Sequence, residues 1–141
     1  MDPQPATLHA SAVALNGRGL LIRGASGSGK SGLALQLMAL GVSLVSDDRT
    51  VVSRAGAQVH LNAPDTIRGR IEARGVGILN AEAVRDATLV AVVDLDTPET
   101  ERLPPHRVTD ILGVAVALIH NCAHASFPAA LRQYLNAGRE T

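Results

Sequence analysis

The string Gly24-Ala25-Ser26-Gly27-Ser28-Gly29-Lys30-Ser31 restricts this chain more than any other feature. Its spacing is that of a phosphate-binding loop, where small residues let consecutive backbone N–H groups close around a phosphate. Lys30 would reach the outer phosphoryl oxygens, and the Ser31 hydroxyl would ligate Mg²⁺. The loop requires a strand ending at Gly24 and a helix starting near Lys30, whose free N–H groups and dipole face the anion. Lys30 is the only lysine, against twelve arginines. This loop needs a compact charge on a flexible stem, which a planar guanidinium does not supply.

The flanks agree. Residues 8–15 and 19–22 are apolar runs around Asn16-Gly17, a dipeptide suited to a tight hairpin, and the second run feeds the loop. After it, Leu33, Leu37 and Leu40, with Ala34 and Met38, recur at helical spacing until Gly41. Residues 42–45 read as a strand ending in Ser46-Asp47-Asp48. If it runs parallel to the strand feeding the loop, both carboxylates arrive at the edge where open α/β sheets bind ligands. A second hairpin is expected over 50–52 and 58–61, a short helix over 65–73 with Asp65 as N-cap, and buried strands over 87–93 and within 111–119. A last helix spans 126–136, with Ser126 as N-cap, Pro128 in the first turn and Gly138 beyond the end.

Composition narrows the function. With one Phe, one Tyr and no Trp among 141 residues, the core must be aliphatic, and the length suits a single domain over 1–141. Thirteen basic and thirteen acidic residues cancel, so no overall charge draws the chain to nucleic acid or to an anionic membrane. Residues 1–5 show no signal-peptide pattern. Residues 111–131 lack charge, but His120, Asn121, His124 and Pro128 argue against a membrane span. The lone Cys122 fits a reducing, cytoplasmic setting, and His60, His106, His120 and His124 form no metal-binding spacing with it.

Two acidic groups compete to serve the phosphates. Asp47-Asp48 follows the loop by one helix and one strand, whereas Asp94 and Asp96 close the later apolar run. The adjacent pair is favoured: one carboxylate can bind the metal while its neighbour accepts a proton. Glu72-Ala73-Arg74-Gly75-Val76-Gly77 sets opposite charges between glycines that let backbone approach a ligand. His9 lies in the first expected strand, where a half-buried structural role is its ordinary reading.

With these blocks in order, the chain resembles the catalytic domain of bacterial HPr kinase/phosphorylase, in the truncated form seen in alphaproteobacteria. The similarity rests on His9, the loop 24–31, Leu44-Val45-Ser46-Asp47-Asp48-Arg49, and residues 72–78. It implies an α/β phosphate-loop sheet like that of phosphoenolpyruvate carboxykinase, with N-terminal hairpin strands and a C-terminal helix. It further implies an ATP- and Mg²⁺-dependent protein-serine kinase acting on the phosphocarrier HPr in phosphotransferase-system regulation, with phosphorolysis as the reverse reaction, and a homo-oligomer, hexameric in the family. Asp47 would be the catalytic base, with His9, Lys30 and Arg74 as active-site residues; Ser31, Glu72 and Asp48 would hold the metal. Ala25 departs from an acidic residue often found at its place, and Arg102 offers a match to a later catalytic arginine. A small-molecule kinase and a catalytically weak nucleotide sensor are the rival readings.

Overall fold

The computed structural model describes residues 2–141. Thirteen elements follow in order: β1 (Ala6–Leu8), β2 (Ala10–Leu15), β3 (Arg18–Arg23), α1 (Lys30–Ala39), β4 (Ser43–Ser46), β5 (Thr50–Ala55), β6 (Gln58–Asn62), β7 (Arg70–Ala73), β8 (Gly77–Asn80), β9 (Ala87–Pro98), β10 (Val108–Ile111), β11 (Val114–Asn121) and α2 (Phe127–Ala137). A nine-stranded sheet runs β1-β5-β6-β9-β3-β2-β4, with β11 added beside β9 and β10 beside β11.

The hairpin before the loop forms as the residue types require. Leu15 faces Arg18 across Asn16 and Gly17, whose φ values of 52° and 77° fit the primed turn that Asn-Gly favours. The expected first strand is, however, two strands. Residues 6–8 pair with β5, residues 10–15 pair with β3, and His9 sits on the bend between them. β4 is antiparallel to β2, and β2 to β3, so β3 and β4 run the same way and end on one edge.

The sheet is packed on both faces. Val13, Leu20, Ile22, Ala91 and Val93 meet Leu33 and Leu37 of α1 and Leu131 and Leu135 of α2. Ala12, Leu21, Val52, Leu61 and Val92 build a second core on the other face. In β9 the pairing with β3 skips from Gly19↔Leu89 to Leu20↔Ala91, so Leu89 belongs to the second core and Ala91 to the first. One extra residue in a ladder reverses which side chains point which way.

The expected helix over 65–73 is not there. Residues 65–69 are turns, Gly69 has φ 79°, and Arg70–Ala73 forms a two-stranded sheet with β8, separate from the main one. Ile71 and Ala73 alternate inward while Arg70 and Glu72 point outward, a period of two that the helical reading missed. Asp65 instead bonds the Arg68 guanidinium at 2.5 Å, which lowers its carboxyl below the usual range. Ser126 precedes α2 as expected, yet its side chain makes no capping bond. Among the described residues no helix is long and apolar enough to cross a membrane.

Candidate active site

The loop joins β3 to α1. Gly29, with φ 103°, takes the N-cap place, and α1 has neither a side-chain cap nor an acidic residue in its first turn. The N–H groups that begin a helix are therefore left to an anion. Lys30 is buried, its Nζ donating to the carbonyls of Gly24 at 2.9 Å and Ala25 at 3.2 Å. The N–H of Ala25 donates to both oxygens of Asp96, at 3.0 and 2.9 Å. Asp96 thus anchors the start of the loop, and Asp94 pairs with Arg23 at 3.6 Å. Both rival acids are occupied, Asp96 in tying β9 to the loop and Asp94 in tying it to the end of β3.

Asp47 is 9% exposed and accepts three hydrogen bonds. Ser31 Oγ donates to Oδ1 at 2.6 Å, Ser11 Oγ to the same oxygen at 2.9 Å, and the Glu72 N–H to Oδ2 at 2.9 Å. One carboxylate therefore ties β2, α1 and β7 together. Ser11 is fully buried and also accepts the Asp48 N–H at 3.0 Å. No motif contained Ser11; its only signal was a hydroxyl within the apolar run of β2, two residues after His9.

Asp48 turns the other way. Its φ of 67° is left-handed, a conformation Asp tolerates better than most residues. Its carboxylate faces solvent and lies 2.6 Å from His9 Nε2. The Ser46 hydroxyl bonds the Arg49 carbonyl and the Arg49 N–H bonds the Asp47 carbonyl at 2.8 Å, fixing this turn.

A cleft of about 930 Å³ gathers His9, Lys30, Ser31, Asp47, Asp48, Arg49, Arg70, Glu72 and Arg74. The fold thus brings His9, Lys30, Ser31, Asp47, Asp48, Glu72 and Arg74 together with Ser26, Gly27 and Gly29 of the loop, whereas Gly24, Ala25 and Ser28 do not line this cleft. Arg102, exposed in the loop after β9, does not line it. Among the described residues no three His, Cys, Asp or Glu side chains cluster tightly enough to enclose a metal. The donor set nevertheless suits Mg²⁺, a hard cation that keeps several waters and takes one or two carboxylates plus substrate phosphates.

Residues 3–119 match the family profile described as "HPr Serine kinase C-terminal domain". The chain belongs to the HPr serine kinase family. Among relatives of this family, the HPr kinase/phosphorylase of Brevibacillus brevis is 36% identical over 115 residues, covering 77% of this chain and 36% of that protein. That of Aromatoleum aromaticum is 38% identical over 124 residues, covering 78% of this chain and 40% of that protein. The chain thus matches well under half the length of these HPr kinase relatives. The Hpr(Ser) kinase/phosphatase from Coxiella burnetii has a similar structure, with TM-score 0.77 and 25% identity over 93% of this chain and 94% of that one.

Proposed function

We propose that the chain is an ATP- and Mg²⁺-dependent protein-serine kinase whose acceptor is an HPr-type phosphocarrier. The observation that carries this reading is the single cleft in which an uncapped phosphate loop, an acidic pair with a histidine, and the Glu72–Arg74 hairpin strand meet. Phosphoryl transfer asks the protein mainly for positioning and charge neutralisation.

Mg²⁺, when bound, would neutralise charge on the β- and γ-phosphate oxygens. Ser31 and Glu72 would hold it. Lys30 exchanges its two loop carbonyls for phosphate oxygens, and the loop N–H groups enclose the β-phosphate. The resemblance gives the proton to Asp47 and the metal to Asp48, whereas the hydrogen bonds favour a different division. Both Asp47 oxygens are engaged by donors, so its part is to orient the Ser31 hydroxyl and the Glu72 backbone. Asp48 is open to the cleft and backed by His9, which suits a base that accepts the proton of the acceptor serine. Arg74, which also lines the cleft, supplies positive charge for the transferred group.

The test is mass spectrometry of a cognate phosphocarrier after incubation with the chain, ATP and Mg²⁺. Phosphoserine should form with the native chain and not with Lys30→Ala. A native chain that binds ATP yet modifies no phosphocarrier of its organism defeats the assignment of the acceptor.

A further inference from the structure

A second cleft, of about 470 Å³, opens on the other flank of the first turns of α1, where the chain leaves β11 and enters α2. The two clefts share Gly29 and Gly32. They differ in charge. The first is lined by Lys30, Asp47, Asp48, Arg49, Arg70, Glu72 and Arg74, while the second has no Asp, Glu, Lys or Arg in its walls.

Gly32 is an independent sign. Glycine weakens a helix relative to alanine, and here neither backbone nor packing demands it. Its φ is not positive, and a Cβ would meet nothing within 4 Å. The ridge between the clefts is left bare, as a ligand crossing it closely would need.

We propose that a nucleoside triphosphate lies across this ridge, its phosphates in the loop and its ribose and base in the second cleft. This rests on the nucleotide-binding part of the function proposed above. The γ-phosphate then projects into the charged cleft toward Asp48, and the acceptor enters from that side alone. Leu95, Phe127 and Pro128 offer an uncharged planar base apolar surface. The Asn121 amide donates through Nδ2 to the Leu95 carbonyl at 3.2 Å, which leaves Oδ1 to accept from an amino group of the base. Gln36, on the exposed face of α1, is placed for a ribose hydroxyl.

Calorimetry with ATP and with inorganic tripolyphosphate, each with Mg²⁺, separates the two halves of the ligand. The native chain should bind ATP more tightly than tripolyphosphate. Ala123→Trp, which fills the second cleft from an exposed position, should weaken ATP about tenfold and leave tripolyphosphate unchanged. In the native chain, ATP should slow alkylation of Cys122 by iodoacetamide and tripolyphosphate should not. Equal affinity of the native chain for both ligands overturns the base site while the phosphate loop stands, as does an Ala123→Trp variant that binds ATP normally. Binding of neither ligand overturns the kinase reading and this inference with it.

Discussion

Asp47 and Asp48 are neighbours in sequence with opposite surroundings, and their variants should fail differently. Asp48→Asn is expected to lower phosphoryl transfer by about 10²–10⁴-fold, the usual worth of a positioned base, with nucleotide affinity and unfolding midpoint unchanged. Asp47→Asn should lower the urea midpoint as well as activity, because an amide cannot accept from three donors as a carboxylate does. Equal loss of activity with equal stability in both variants would contradict the division of roles. Ser11→Ala should cost about 1–3 kcal/mol in urea unfolding, since it removes a donor from one buried group and an acceptor from another. The acidic pair was legible in the sequence from its distance to the loop. Ser11 was not, because only the pairing of β2 with β4 brings residue 11 to residue 47. Farther off, Glu99 accepts two hydrogen bonds from Arg107, which hold its carboxyl below the ordinary value of 4.5 against the opposing effect of burial. That contribution to stability is complete above pH 4.5 and disappears as pH falls through the lowered value. The melting-temperature gap between the native chain and Glu99→Gln should therefore shrink as pH falls through the acid range; a gap that widens there would give the shift the wrong sign.

Among the elements, those with local signals were legible and those decided by long-range packing were not. Asn16-Gly17 announced its hairpin, and the leucine spacing announced α1. Residues 65–73 carried both an N-cap candidate and enough polar residues to imitate a helix surface. Their alternation became visible only once Ile71 was seen in the core below α1 while Glu72 faced the cleft. Gly19 illustrates the same limit. Within β3 it reads as a weak strand residue, yet a Cβ there would lie 2.7 Å from Leu61 Cδ1 and 3.2 Å from the Thr88 carbonyl, at the point where the ladder skips Val90. Gly19→Ala should destabilise by about 1–3 kcal/mol through overpacking, measured by chemical unfolding, despite the better strand propensity of alanine. α2 closes the first core through Phe127, Leu131 and Leu135. Leu135→Ala should cost about 2–5 kcal/mol, the range for a fully buried leucine truncated to alanine.

At the scale of the molecule, the main sheet carries a hydrophobic core on each face, while the β7–β8 hairpin is a separate two-stranded unit. Its inner residues reach the core, but its tip is exposed, with Val76 at 76% and Ile78 at 66%. The overall architecture was legible because the loop imposes a strand and a helix around it. The attachment of this hairpin was not, since it depends on long-range contacts: Ile71 in the first core, and a hydrogen bond from the Glu72 N–H to the same carboxylate that holds Ser31. A protease can read that attachment. Trypsin should cut after Arg74 at the hairpin tip and after Arg102 in the exposed stretch following β9. If nucleotide with Mg²⁺ engages Ser31 as proposed, it should stiffen the carboxylate partner of Ser31 and with it the hairpin, so the Arg74 cut should slow while the Arg102 cut keeps its pace. The ratio of two peptide fragments would then clock how firmly the acceptor side of the cleft closes when the donor side is filled.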